Sequence, residues 1–227
     1  MHLAAAPSTD THVARDSRDT RDTRVVYIVD DEELVRSALG SLLRSIDLEV
    51  HAFATTEEFL AAPRAGGPSC LVLDVRLRGQ SGLVLQQTLS QPGRPPTPII
   101  FMTGHGDIAM TVKAMKAGAV DFLSKPFRDQ DMIDAVIAAL DHDAKRLGAE
   151  RSRHELRACW HSLTPRENEV VQHVAAGLMN KQIAAHMGIA EITVKIHRGQ
   201  AMRKMNSRSV AELVRKMEAL GVLQDSH

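Results

Sequence analysis

The residues of this chain best suited to chemistry stand at the ends of short apolar runs. Asp30 and Asp31 follow VVYIV, Asp74 follows CLVL, Thr103 follows PIIFM, and Lys125-Pro126 follows VDFLS. Buried parallel strands read as continuous apolar runs, and ligands gather beyond the carboxyl ends of such strands. The spacing therefore brings three carboxylates, a hydroxyl and an ammonium to one sheet edge. That set suits an aspartate that accepts a phosphoryl group beside a divalent metal. Mg²⁺ takes oxygen ligands and keeps several waters. Asp31, Asp74 and the backbone carbonyl of Arg76 would bind it directly, with Asp30 acting through water. Asp74 is then the carboxylate nucleophile, while Lys125 and the Thr103 hydroxyl hold the phosphoryl oxygens.

The elements that must carry these residues follow from periodicity. Candidate strands are 25–29, 49–53, 70–74, 98–102 and 119–123. Helical patterns cover 33–45, 56–62, 82–90, 108–117 and 129–141. In the first of them Leu34, Ala38, Leu42 and Leu43 recur at helical spacing. Asp107 is placed to cap the fourth helix and Gly118 to end it. Alternating βα units predict an α/β fold, a flavodoxin-like five-stranded parallel sheet with helices on both faces.

Residues 1–23 hold a charged three-residue repeat (DSRDTRDTR) with little to bury, and read as a disordered tail. Residues 142–161 are polar and charged, either an extension of the preceding helix or a linker, with Gly148 weakening the helical reading. Residues 162–227 form a second, all-α domain of four helices. Thr164, Pro165 and Glu167 make a strong helix start, and Ser209 with Glu212 repeats its spacing.

Charge divides in the same way. Residues 24–141 carry 11 Lys/Arg against 15 Asp/Glu, a net of −4, whereas residues 162–227 carry 9 against 6, a net of +3. A basic second half suits nucleic acid. The chain lacks an apolar run long enough for a membrane span and an N-terminal secretory pattern. Two cysteines exclude a disulfide framework, so a cytoplasmic, reduced protein is expected.

In the second half, NKQIAAHMGIAEITVKIHRGQAMRKM has helix-turn-helix form. Ile183, Ala184 and Met187 face inward on the first helix, and small Ala184 and Ala185 allow close crossing. Gly188 makes the turn, and the second helix starts near Glu191. Ile192, Val194, Ile196, Met202 and Met205 supply its apolar positions; Lys195, His197, Arg198, Arg203 and Lys204 supply donors. A helix of this kind fits the major groove, and its basic residues reach phosphates.

The motifs VVYIVDDEE, LVLDV, the Gly79–Gly82 loop, FMTGHGD and GAVDFLSKPF make residues 24–141 resemble a bacterial response-regulator receiver domain. LTPRE, VAAGLMNKQIA, TVKIHR and SVAELV make 162–220 resemble a LuxR-type output domain of the FixJ/NarL group. The resemblance implies that a sensor histidine kinase phosphorylates Asp74, and that Thr103 and Phe122 form a switch pair. It implies a cis bond between Lys125 and Pro126, and recognition-helix positions at Lys195, Ile196 and Gly199. Gly199 brings no side chain, so Arg198 or DNA shape takes its place there, and Thr193 contacts a phosphate. Ala190 stands where the family caps this helix with Ser, which costs about 1 kcal/mol.

The function expected is a DNA-binding transcriptional regulator, an activator by its FixJ resemblance, that is not an enzyme beyond its own phosphorylation chemistry. Phosphorylation makes the surface at about 107–123 self-complementary, and the homodimer binds promoter DNA and meets RNA polymerase. Taken singly the same residues are blander: Asp30-Asp31 a solvated cap, Thr103 a strand-end hydroxyl, Lys-Pro a turn, Phe122 plain core, the basic helices a protein-binding module. Their joint order favours the receiver. A haloacid-dehalogenase-type phosphatase needs an acid two residues after its nucleophile, where this chain has Arg76. Two other readings remain, a phosphate sink for a kinase and a constitutive DNA binder with a relic receiver. Arg78 stands where the receiver loop usually carries Pro. Arg76 is expected to shield the acyl phosphate from water, and His105 is more plausibly a plain loop residue than a ligand.

Overall fold

Strand parity sorts the apolar residues of the N-terminal half onto two faces. In this computed structural model, which describes residues 23–78, 81–104 and 108–223, the strands are β1 (Val25–Val29), β2 (Glu49–Phe53), β3 (Ser69–Asp74), β4 (Ile99–Thr103) and β5 (Asp121–Ser124). All pair in parallel in the order β2-β1-β3-β4-β5. Successive side chains point to opposite faces. Val26, Ile28, Cys70, Val72, Ile100 and Met102 therefore form one core, and Val25, Tyr27, Val29, Leu71, Leu73 and Phe101 form the other. Helices α1 (Glu33–Arg44) and α5 (Asp129–His161) supply Leu39, Leu43, Val136 and Leu140 to the first core. Helices α2 (Thr56–Ala61), α3 (Gly82–Leu89) and α4 (Ile108–Lys116) supply Phe59, Leu85 and Ala114 to the second. This is the flavodoxin-like α/β arrangement expected.

Several details differ from the periodicity reading. The buried stripe of α1 is Val35, Leu39, Leu42 and Leu43; Leu34 is 85% exposed and Ala38 is exposed too. Both spacings are helical, and only the direction of the helix axis against the sheet selects between them. Strands β4 and β5 start later than expected, because Pro98 bonds only through its carbonyl and, although the Val120 amide already donates to the Ile99 carbonyl, regular pairing of β5 begins at Asp121. Gly118 does end α4, with φ at 90°. The proposed Asp107 cap, His105, Gly79 and nearly all of the 1–23 tail lie outside the described residues.

Residues 142–161 are helical throughout, Gly148 included, as part of α5. Asp143 in this stretch is buried: it accepts from the Ser69 amide at the start of β3 (2.9 Å) and pairs with Arg146 (2.8 Å). One tolerated glycine costs a long helix about 1 kcal/mol, which packing at both ends outweighs.

The chain divides into two compact units between Leu147 and Gly148. The second contains α6 (Pro165–Ala175), α7 (Asn180–Met187), α8 (Glu191–Lys204) and α9 (Val210–Leu220). Thr164 Oγ1 accepts from the Glu167 amide (3.3 Å) and Glu167 Oε2 from the Thr164 amide (2.7 Å), completing the expected capping box. Ser209 caps α9. Val170, Val174, Ile183, Val194, Ala201, Met205 and Leu213 form the core, with Leu156, Cys159 and Trp160 packed against it. Among the described residues no helix is long and apolar enough to cross a membrane.

Candidate phosphoryl and nucleic-acid sites

The carboxyl edge of the sheet gathers the expected residues because each strand delivers one at its end. Asp30 follows β1 and is fully buried; Asp74 and Thr103 close β3 and β4 and are nearly so. Lys125 follows β5, joined to Pro126 by the cis bond the resemblance implies. Its Nζ donates to Asp74 Oδ2 at 2.6 Å and to Asp30 Oδ2 at 2.9 Å. The other oxygens are held by backbone: Asp30 Oδ1 accepts from the Glu32 amide (2.8 Å) and Asp74 Oδ1 from the Arg76 amide (2.9 Å). The Lys125 amide donates to the Thr103 carbonyl, which fixes the end of β5 against β4.

Gly82 sets how closely α3 approaches this edge. A Cβ there would stand 2.5 Å from the Asp74 carbonyl oxygen, closer than a side chain can come, and a tight 3.1 Å from Leu73 Cγ. The Gly82 amide donates to the Val75 carbonyl instead (3.0 Å), folding the loop back beside the nucleophile.

Each carboxylate at this edge has a cationic neighbour. Burial raises the Asp30 carboxyl above its usual range, and the Asp74 charge adds to the effect, outweighing Lys125 and the Glu32 amide. Burial also disfavours the Lys125 ammonium, but its hydrogen bonds to Asp74 and Asp30 win and hold its pKa above the ordinary lysine value. Asp31 is drawn elsewhere: Arg78 Nε lies 2.9 Å from its Oδ2, on a side chain 87% exposed. The sequence pattern did not suggest this pair.

Among the described residues, no group of three or more His, Cys, Asp or Glu side chains is arranged around one ion. Arg78 occupies Asp31, while Lys125 bridges the other two aspartates. The donor chemistry still fits a hard divalent cation, since carboxylates and a carbonyl are the ligands Mg²⁺ takes. Asp31, Asp74 and the Arg76 carbonyl are the residues available to hold it once Arg78 lets go. Arg76 has its side chain exposed, and Phe122 is half-buried against the core beside Phe101.

In the second unit, α7 and α8 make the helix-turn-helix, joined through Gly188 in the left-handed conformation (φ 65°). Ile183 is buried, with Ala184 and Met187 packed beside it, whereas Ala185 is exposed and takes no part in the crossing. Ala190 gives α8 no side-chain cap, as expected. The inner face of α8 is Val194, Ala201 and Met205, with Met202 partly buried. Ile192 and Ile196, expected among its apolar packing positions, are instead 64% and 52% exposed. Two isoleucines four residues apart read as core by periodicity, yet the core lies on the opposite side.

The expected donors separate into two groups. Lys195 and Arg203 are exposed, Thr193 is partly so, and Lys195 pairs with Glu191 (3.2 Å). Arg198 donates to Asn180 Oδ1 (3.0 Å), tying α8 to α7. Lys204 is also engaged inside the unit, with partners the sequence did not suggest. Its Nζ lies 2.6 Å from Glu167 Oε2 and 3.0 Å from the Ser162 carbonyl, so it serves the start of α6. Sequence spacing could not show that its partner lies 37 residues away. Burial works against the Glu167 carboxylate, but Lys204 and the Thr164 amide outweigh it and hold its pKa below the usual range.

Comparison with known proteins places these features in a family. Residues 26–137 match the response regulator receiver domain, and 161–217 match the luxR family of bacterial regulatory proteins. Nodulation protein W of Bradyrhizobium diazoefficiens is 54% identical over 198 residues, covering 87% of each chain. Transcriptional regulatory protein FixJ of the same organism is 37% identical over 200 residues, covering 88% of this chain and 97% of its own. Among solved structures, response regulator StyR aligns with a TM-score of 0.80 at 47% identity, covering 86% of this chain and 98% of its own. Full-length FixJ from B. japonicum aligns at 0.52 and 35% identity, covering 88% and 98%. With a receiver sheet followed by a LuxR-type helix-turn-helix, the chain belongs to the two-component response regulators of the FixJ/NarL group.

Proposed function

We propose that this regulator is a cytoplasmic transcriptional activator switched by phosphorylation of Asp74 from a sensor histidine kinase. Residues 24–141 act as receiver, 162–227 as output domain and 142–161 as the joint between them. The observation that carries the reading is the 2.6 Å approach of Lys125 Nζ to Asp74 Oδ2 at the carboxyl edge of the sheet. An Asp74 carboxylate oxygen attacks the phosphorus of a phosphohistidine; a P–O bond forms, the P–N bond breaks, and the imidazole leaves with the electron pair. Asp31, Asp74 and the Arg76 carbonyl would hold Mg²⁺, with Asp30 acting through water, and the bound ion would neutralise charge on the phosphoryl oxygens. Lys125 moves its hydrogen bond from Asp74 to a phosphoryl oxygen, and the Thr103 hydroxyl donates to another.

Thr103 is drawn toward the phosphoryl group, and Phe122 turns inward behind it. The changed face of α4 and β5 then pairs with that of a second copy, a role supported by exposed Val112 and Met115 on α4. Two linked output domains bind paired half-sites more tightly than one by raising effective concentration. Thr193, Lys195, Ile196, Arg198 and Arg203 face the promoter, and the bound dimer meets RNA polymerase. The test is intact mass after incubation with acetyl phosphate and Mg²⁺, followed by sedimentation and binding to promoter DNA. Gain of one phosphoryl group, lost in Asp74→Asn and accompanied by dimerisation and tighter binding, supports the reading. Promoter affinity that is the same in both proteins refutes it.

A further inference from the structure

Three positions on the outer face of α8 are poor choices for a helix and have no packing reason to be there. Ile192 and Ile196 are 64% and 52% exposed, and β-branched residues are weak helix formers. Gly199 is weaker still, and a Cβ there would meet nothing within 4 Å. At 100° per residue the three lie within about 60° of one another around the axis. Together they form a narrow strip, two branched apolar side chains followed by bare backbone, on the side opposite buried Val194 and Ala201.

Cations border the strip without filling it. Lys195 lies beside Ile196 with its ammonium 3.2 Å from Glu191, so its charge is partly answered within the helix. Arg203 is exposed one turn beyond Gly199. A surface of this kind in a helix-turn-helix has little to offer base donors and acceptors. It is suited to the apolar group of the major groove, the C5 methyl of thymine. The missing side chain at Gly199 allows the helix to settle closer to the base edges than a full side chain would.

Resting on the reading of α8 as the DNA-facing helix, we propose that Ile192, Ile196 and the bare backbone at Gly199 recognise C5 methyl groups of thymines. The operator half-site of this chain then carries A·T pairs at the bases facing the strip. Discrimination there depends on methyl groups more than on hydrogen bonds.

The test uses the full chain treated with acetyl phosphate and a duplex site selected from a randomised pool. Thymines of the selected half-site are replaced one at a time by deoxyuridine, which removes only the methyl, and affinity is read by fluorescence anisotropy. Loss of about fourfold is expected at one or two positions, the value of burying one methyl. Ile192→Ala and Ile196→Ala bind the thymine site more weakly and become indifferent to the matching replacement. Gly199→Gln weakens binding while circular dichroism shows the helix content unchanged or raised. Deoxyuridine that leaves affinity unchanged at every position, or alanine variants with full methyl sensitivity, overturns this inference alone. A pool that yields no enriched site overturns the DNA-binding reading and this inference with it.

Discussion

Replacing Lys204 with Met separates a structural cation from a DNA-binding one. The substitution keeps an unbranched apolar stem one atom shorter and removes the bonds to Glu167 Oε2 (2.6 Å) and the Ser162 carbonyl (3.0 Å). Glu167 is only 3% exposed, so its carboxylate loses its one cationic partner while retaining the Thr164 amide. A hydrogen bond to a charged group is worth roughly 1.5–3 kcal/mol. Glu167 lines an open cleft with Gln200, Arg203 and Lys204, so water can partly replace the ammonium and the lower end applies, about 1.5 kcal/mol. With a urea m-value of about 1 kcal/mol/M for a unit of this size, the midpoint falls by about 1.5 M. Trp160 is the single tryptophan of the chain and packs against the core of this unit, so its fluorescence reports the transition.

The pH dependence gives this prediction a second edge. Glu167 is held below the usual carboxylate range, so the folded state binds fewer protons than the unfolded one. Its stabilisation is present above the unfolded value of about 4.3 and is lost as pH falls through the lowered folded value. The gap between the wild type and Lys204→Met is therefore steady from neutrality to about pH 5 and closes in stronger acid. Where the variant is folded, its DNA affinity and salt dependence match the wild type. An unchanged urea midpoint, or a salt slope reduced by about one, refutes the assignment of Lys204 to the α6 start.

Three further outcomes follow from the phosphoryl site and a fourth from the packing of the two cysteines. Gly82→Ala forces a Cβ against the Asp74 carbonyl and displaces the nucleophile from Lys125, so phosphorylation by acetyl phosphate slows by at least about tenfold; an unchanged rate by mass spectrometry contradicts the close approach. Arg78→Ala frees Asp31, and Mg²⁺ affinity by calorimetry rises by up to about fivefold, the ceiling for an exposed pair; equal or weaker affinity rejects competition by Arg78. Arg76→Ala hastens loss of the phosphoryl group if its exposed side chain shields the site from water, and an unchanged decay rate rejects that role. Burial, with the Asp143 charge adding to it, pushes the Cys70 thiol up to about 12, so a maleimide labels Cys159 in the native protein and Cys70 only after denaturation.

The sequence made the sheet and its chemical edge legible because both depend on local signals. An apolar run says where a strand lies, and the polar residue that ends it says what the strand delivers; Asp30, Asp74 and Lys125 met as that logic requires. The helix starts at Thr164 and Ser209 were legible for the same reason, since a cap is written within four residues. What periodicity could not supply was direction. Leu34 and Ile192 satisfy a helical apolar pattern as well as their buried neighbours do, and only the placement of the core decides between them. Nor could it supply distant partners: Arg78 with Asp31 and Lys204 with Glu167 join separate loops and helices, and no spacing rule links them. The helix through Gly148 was underestimated because a propensity penalty is local while the packing that offsets it is not.

The order of the strands gives the receiver sheet an uneven stiffness. β3 lies at its centre, bonded on both sides and buried almost along its length, and its first amide is tied down by Asp143 at the end opposite Asp74. β5 is an edge strand, bonded on one side and only half-buried. Local opening costs least where backbone bonds and apolar contacts are fewest. A strain applied at Asp74 thus meets an unyielding anchor behind it and a compliant margin two strands away on either side, β2 and β5. The element carrying Phe122 is one of the two margins that yield before the centre does, and it is the one that also bears Lys125 at its end, so relaxation on that side starts beside the residue that holds Asp74.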